Sequence, residues 1–260
     1  VATAKYEEIY SALRTGIERG EYPFLSFLPS ENSLAHDFGI SRNTVRKALQ
    51  YLASQGYVQA MQGRGIQVIF RQHHQTSHFL LTGIESLAEA GRRLGIEVRT
   101  RLLESSMMTV DADLAGRSGL PEGASALALT RLRLLDGRPA IMDRNIFLTE
   151  VVPQIPTKAA ESSVYAYLEN RLGVGIVSSC RLATIEPADE EDLQYLDLSG
   201  LDCVGVVESF SFDSAGVPFE YTRSRHAPRT FSFISTAQRL PAQRGEREGT
   251  PRNPPHPNPP

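Results

Sequence analysis

Apolar side chains recur at helical spacing close to the start of the chain. Tyr6, Ile9, Tyr10, Leu13 and Ile17 fall on one face of a helix over residues 5–20, and Gly20 ends it. An irregular stretch from Tyr22 to Pro29 follows. Ser30 is placed to N-cap a second helix, with Glu31 in its first turn and Leu34, Ala35 and Phe38 toward a core. Gly39 turns the chain, and Ser41 caps a third helix that runs to Gln55. Residues 57–60 and 66–69 read as two short strands around the turn Gln62-Gly63-Arg64-Gly65. Helix, helix, turn, helix and hairpin make a winged helix-turn-helix over residues 1–70.

Residues 71–77 are polar and without period, so they read as a linker. From 78 to 238 helices and strands mix. Residues 83–94, 111–119, 161–172 and 188–196 have helical patterns; 124–135, 139–148, 177–186, 204–212, 217–226 and 231–236 have strand patterns. Asp136-Gly137 between two of the strands is a hairpin signal. The expectation is an α+β domain, an antiparallel sheet with helices against it. Residues 239–260, rich in Pro, Arg, Gly and Asn, carry too little apolar surface to offset chain ordering and are expected to be disordered.

Composition refines this picture only locally. The 260 residues are 41% hydrophobic and 22% charged, with a net charge of -3. These are ordinary values for a soluble protein of two domains. The two cysteines, Cys180 and Cys203, have no metal-ligand spacing and suit free thiols in a reducing cytosol. No stretch has the ~20 apolar residues of a membrane helix, and the start lacks a signal-peptide core. A cytoplasmic protein without a cofactor or a metal site is expected.

Charge becomes informative by segment. From Ser41 to Arg64 there is no Asp or Glu, whereas Arg42, Arg46, Lys47 and Arg64 are basic. On the third helix Val45, Ala48, Leu49 and Leu52 form the buried face. Arg42, Asn43, Arg46 and Gln50 share an exposed flank. Arg pairs bidentately with guanine, and Asn or Gln with adenine, in the major groove. Ser41 and Thr44 at the helix start can bond phosphate, and Arg64 sits at a hairpin tip where a cation can meet phosphate or a minor groove. A solvated helix face would also carry such charges; the order of elements favours double-stranded DNA as the partner.

In the second domain Arg131 and Arg133 lie on the same face of an otherwise apolar strand. Two adjacent guanidiniums repel, and burial would demand a partner: a carboxylate or a bound anion, with phosphate suited to the arginine fork. An exposed sheet face with surface ion pairs is the other reading. The run Phe219-Glu220-Tyr221-Thr222-Arg223-Ser224-Arg225-His226 offers acceptors and donors together, as a sugar requires, or forms a salt-bridged edge strand. Ser162-Ser163 opens a helix, where a cap and an anion site can coexist. No nucleophile–base pair, metal-ligand cluster or glycine-rich phosphate loop supports an enzyme.

The first 70 residues also resemble the GntR family of bacterial regulators. The resemblance is carried by Leu28-Pro29-Ser30-Glu31, Leu34-Ala35, Ile40 through Leu49, Leu52, Gly56-Tyr57-Val58 and Gly63-Arg64-Gly65. Ile66-Gln67 departs from the family's usual Thr-Phe after the wing glycine. The resemblance implies DNA contacts from Ser30, Glu31, Ser41, Arg42, Thr44, Arg46 and Gly65. Residues 79–237 resemble the UTRA effector domain of the HutC branch, which has a chorismate-lyase-like fold, through Phe79-Leu80-Leu81-Thr82, Leu129 to Arg133, Ser162 to Tyr165, and Phe219 to His226. Within that branch the chain is similar to trehalose operon repressors, through Asp143-Arg144-Asn145, Tyr165 to Glu169, Ile185-Glu186-Pro187 and Tyr221 to His226. That similarity implies a repressor released by trehalose 6-phosphate, with phosphate on Arg131, Arg133 and Ser163 and sugar contacts from Asp143, Glu220, Arg223 and His226. An amino-sugar phosphate or a carboxylate metabolite is the alternative effector, and a lyase-like enzyme the alternative of another class. A homodimer on a two-fold operator is expected, since one helix-turn-helix reads only a short half-site.

Overall fold

The computed structural model describes residues 2–71, 79–80, 84 and 86–234. The expected tail at 239–260 and most of the expected linker at 71–77 lie outside the described residues. The first unit contains α1 (Ala2–Glu18), α2 (Glu31–Asp37) and α3 (Arg42–Ser54), then strands β1 (Val58–Met61) and β2 (Gly65–Val68), which pair antiparallel. Both expected N-caps form. The Ser30 and Ser41 hydroxyls accept from the backbone N–H of Ser33 and Thr44, at 3.1 and 3.2 Å. The apolar face of α1, Ile9, Leu13 and Ile17, packs on Leu34, Val45, Leu49, Leu52 and Tyr57. Each fully buried aliphatic side chain here contributes about 1.5–3 kcal/mol. This small core fixes α3 so that its polar flank faces outward.

The second unit is built on one six-stranded antiparallel sheet. Its chain order is β3 (Phe79–Leu80), α4 (Leu87–Leu94), β4 (Val98–Thr109), α5 (Ala112–Ser118), β5 (Ser125–Leu135), β6 (Arg138–Leu148), α6 (Thr157–Ala160), α7 (Val164–Tyr167), β7 (Ile176–Pro187), α8 (Glu190–Tyr195), β8 (Cys203–Asp213), β9 (Pro218–His226) and β10 (Phe233–Ile234). Across the sheet the strands run β4-β5-β6-β9-β8-β7. Asp136 and Gly137, with φ of 47° and 78°, make the two-residue turn that sets the β5–β6 register. On one face Leu127, Leu129 and Phe147 pack against α6 and α7. On the other, Leu132, Met142, Val204 and Val206 pack with Leu196 and Leu198 beside α8.

The sequence expectations differ from the structure in three places. Strand β4 was not anticipated. It pairs with β5, but a register shift between Leu102 and Glu104 breaks the alternation begun by Val98, Thr100 and Leu102, and residues 104–109 are mostly polar and exposed. The single helix expected over 161–172 is instead α7 followed by a wider π-type turn, Leu168–Leu172, with α6 before it. Ser163 stops one continuous helix by taking extended backbone and capping α7. Strand β3, with which β10 pairs parallel, was not anticipated either; residues 235–236 of the strand expected over 231–236 lie outside the described residues.

Position 205 has no room for a side chain. A Cβ there would lie 2.3 Å from the Phe231 ring. That close approach brings Phe231 onto His226, whose ring it meets edge-on at 5.3 Å.

Candidate functional site

Two separate surfaces carry chemistry. The first is the polar flank of α3. Arg46 donates to both carboxylate oxygens of Glu31, at 3.2 and 2.8 Å, and Arg42 lies 3.7 Å from the same group. These hydrogen bonds from Arg46 hold the Glu31 carboxyl below its ordinary range. Glu31 thus orients two exposed arginines from the start of α2. Ser41 Oγ and Thr44 Oγ1 meet at 2.8 Å at the N-terminus of α3. Asn43 is exposed beside them, and Ser30 caps α2. At the wing, Gly65 has φ of 110° and Arg64 stacks over the Phe27 ring at 5.5 Å. The expected DNA-facing residues therefore share one side of the first unit, apart from the wing pair, which sits on the hairpin.

The second is a cavity of about 170 Å³ on one face of the large sheet, covered by the first turn of α4 and by the α6–α7 corner. It is lined by Arg131 and Arg133 from β5, Asp143 and Asn145 from β6, and Glu220, Thr222, Ser224 and His226 from β9. Strand alternation explains the set. Every second residue of β9 faces in, and Arg131, Asp143 and Ser224 form one cross-strand row.

The arginine pair is not on an exposed sheet face, the simpler of its two readings. Arg131 is 3% and Arg133 8% exposed. Arg133 Nε donates to Asp143 at 2.7 Å, and its Nη1 to Thr100 at 3.1 Å. Arg131 Nε donates to Asn145 at 2.9 Å, and its Nη1 to the Ala160 carbonyl at 3.3 Å; it reaches Asp143 only at 3.6 Å. Burial, and then the like charge of Arg133, pull the Arg131 guanidinium down to about 9. Burial alone would raise Asp143, but the two arginines outweigh it and hold its carboxyl at about 2. Asp143 is thus within ion-pair distance of both arginines, and Glu220 acts on Arg131 from further away.

From Arg131 a chain of hydrogen bonds crosses the sheet. Asn145 donates to Thr222 at 2.7 Å, Thr222 to Glu220 at 3.0 Å, and Tyr165 to Glu220 at 3.0 Å. Burial pushes the Glu220 carboxyl up, against hydrogen bonds from Ser211, Tyr165 and Thr222. The Ser163 hydroxyl accepts from Ala166 N–H at 3.2 Å as the α7 cap, which leaves its own hydrogen to donate into the cavity.

Six of the seven expected ligand residues converge here: Arg131, Arg133, Asp143, Ser163, Glu220 and His226. Arg223 does not. As an odd-numbered β9 residue it projects from the opposite face, against Glu186 and Glu208. Asn145, Thr222, Tyr165 and Arg181 also line the cavity and were not singled out. They are common polar residues, and only the strand register brings them to one place. Among the described residues no cluster of His, Cys, Asp or Glu could hold a metal ion. No described helix is long and apolar enough to cross a membrane.

Family models match both units. One described as "Bacterial regulatory proteins, gntR family" covers residues 5–68, and one described as "UTRA domain" covers 93–232. The HTH-type transcriptional regulator TreR of Bacillus subtilis is 34% identical over 239 residues, 90% of this chain and 98% of that protein. The crystal structure of the possible transcriptional regulator YydK from B. subtilis shares the fold, with a TM-score of 0.73 at 22% identity over 90% of this chain and 99% of that one. The structure of the B. subtilis trehalose repressor effector-binding domain matches with a TM-score of 0.50 at 28% identity, over 55% of this chain and 99% of that one.

The buried histidine gives the cavity a testable signature. Desolvation pushes the His226 imidazole down to about 4, so it is neutral in the fold at pH 7. Unfolded, it titrates at about 6.5. Its contribution is complete above that value and is lost as pH falls toward 4. Glu220, raised, works in the opposite sense, losing its contribution as pH rises through its folded pKa. Urea unfolding at pH 7 and pH 4.5 should therefore show a His226-dependent loss of up to about 3 kcal/mol. His226→Asn should remove that part of the pH slope; an unaltered slope would mean the ring is not held neutral.

Proposed function

Because the chain belongs to the GntR family of bacterial regulatory proteins and carries a UTRA domain behind its winged helix-turn-helix, we propose that it represses a sugar-uptake or catabolism operon and is released by a phosphorylated sugar, trehalose 6-phosphate. The observation that carries the ligand reading is the buried arginine pair, with Asp143 in ion-pair contact, in a cavity lined by three arginines and two carboxylates. A phosphate supplies the missing negative charge and fits the arginine fork. Ser163 and the α4 N-terminus, which opens at Ser86, add donors at the same end. The hydroxyl- and carboxyl-lined remainder suits sugar hydroxyls, which both donate and accept. The name of the trehalose repressor, whose effector domain this one resembles, supports the choice of sugar.

On the DNA side, Arg42, Asn43 and Arg46 read base edges in the major groove, while Ser41, Thr44, Ser30, Arg64 and the Gly65 backbone meet phosphate. Glu31 acts mainly by aiming Arg46. The protein acts as a homodimer on two half-sites. β7 is the sheet's edge strand with Val177, Leu182 and Ile185 exposed, a surface a second copy can cover.

Helix α4 is the route between the two surfaces. Its first turn lines the cavity. Arg93 in its last turn donates to Glu18 at the end of α1, at 3.2 Å. The same Glu18 oxygen accepts from Tyr57 at 2.5 Å and from Arg14 at 3.1 Å, while its other oxygen is buried without a hydrogen-bond partner. Tyr57 leads directly into wing strand β1. A ligand that shifts α4 changes this polar junction, and so biases how the DNA-binding units are held.

Three outcomes follow. Arg42→Ala and Arg46→Ala should each weaken operator binding by about 1–3 kcal/mol in anisotropy titrations, and unchanged affinity in both would remove α3 as the recognition helix. Calorimetry should detect trehalose 6-phosphate and not plain trehalose, and Arg131→Ala should abolish induction with DNA binding intact; normal induction in that variant would refute the phosphate role. Arg93→Ala should leave both single affinities within a few-fold yet bring the ratio of effector affinities, with and without operator, toward one; a ratio equal to that of the parent would rule out α4 as the link.

A further inference from the structure

The cavity is longer than its anion end. Leu129, Asn145, Thr222, Ser209 and Arg181 form one cross-strand row through β5, β6, β9, β8 and β7. Asn145, Thr222, Ser209 and Arg181 all line the cavity. The row spans four strand spacings, about 19 Å from the backbone of β5 to that of β7. Arg131 and Arg133 stand at the first of these strands and Arg181 at the last. The charge of Arg181 is felt at the Tyr165 hydroxyl, which donates to Glu220. Arg131 and Arg133 thus stand on β5 beside the Leu129 end of the row and Arg181 at its β7 end, with neutral amide and hydroxyls between.

We infer that Arg181 is the residue that selects ligand length, by binding the unphosphorylated second hexose of a disaccharide phosphate. This rests on the phosphorylated-sugar reading above and makes it specific. With its phosphate at the arginine pair, a single hexose phosphate lies over β6 and β9, and a second hexose extends over β8 to Arg181. The chemistry at the far end suits two neighbouring hydroxyls. Arg181 offers only donors, so hydroxyl oxygens accept from it. Glu220, alongside, accepts the hydrogens those hydroxyls donate. At the near end the demand is different: Arg131 and Arg133 face a shortage of negative charge, which phosphate meets. Anchoring and discrimination are therefore performed by different strands.

The test is calorimetric titration of the full chain and of Arg181→Ala with trehalose 6-phosphate, glucose 6-phosphate and glucosamine 6-phosphate. The expected result is a parent protein that prefers the disaccharide phosphate by at least about ten-fold, the worth of a charged hydrogen bond. Arg181→Ala loses that preference and keeps its affinity for the monosaccharide phosphates. A preference that survives in Arg181→Ala overturns the role of Arg181. A parent that binds a monosaccharide phosphate as tightly as the disaccharide phosphate overturns the two-hexose ligand while the phosphate reading stands. A parent that binds none of the three overturns both.

Discussion

The second domain is organised around one electrostatic demand. Two guanidiniums lie side by side inside a sheet, where water cannot screen them. They are held there because β5 and β6 are locked in register by a two-residue turn, which sets Arg131 across from Asp143. A slip of one residue would turn every arginine outward and every intervening leucine inward. Hydrophobic burial on the opposite face, Leu132 and Met142 against Leu196 and Leu198, resists that slip. The apolar side of the sheet thus holds the polar side in an arrangement that would not form alone. Arg225 is a useful contrast. It too is buried, but Asp192 receives three donor contacts from it and Glu186 a fourth. That cation is fully answered and ties α8 to the sheet. Arg131 reaches a carboxylate only at 3.6 Å, and its close partners, Asn145 and the Ala160 carbonyl, are neutral.

The same logic separates the two halves of the chain. In the first unit charge stays at the surface and is aimed rather than buried. Arg42 and Arg46 project from a helix whose other face is wholly apolar, and Glu31 restrains them at the cost of part of their free charge. Released to solvent, long arginine side chains lose more rotamer freedom on docking than restrained ones. Glu31 therefore trades some electrostatic attraction for a smaller ordering cost and a defined geometry, which favours discrimination over general affinity for phosphate.

How much of this was legible follows from the same physics. The third helix was, because Val45, Ala48, Leu49 and Leu52 keep a helical period and Ser41 marks the start. The hairpin at Asp136-Gly137 was, because few residues accept left-handed backbone there. The arginine pair was visible as a pair, but whether it was buried depended on α4, α6 and α7 lying over it, which no local pattern states. Arg223 was misplaced for a simple reason: a polar strand run looks uniform until alternation sends Glu220, Thr222, Ser224 and His226 one way and Arg223 and Arg225 the other. Strand β4 was missed because the irregularity between Leu102 and Glu104 breaks its alternation and its remaining residues, on the sheet's edge, are mostly polar.

The division of labour across the sheet also bears on how such a domain changes ligand. Arg131, Arg133 and Asp143 form a buried charge cluster, and removing one member leaves the others uncompensated, so this end of the cavity tolerates little substitution. Further along the row, Ser209 on β8 and Arg181 on the edge strand β7 are half-buried. On the reading proposed above, substitutions at these two positions would alter which sugar hydroxyls are met. On that same reading, a scaffold that anchors phosphate at β5 and reads the sugar toward β7 would move between sugar phosphates by changes at one strand, with α4 still over the anion end.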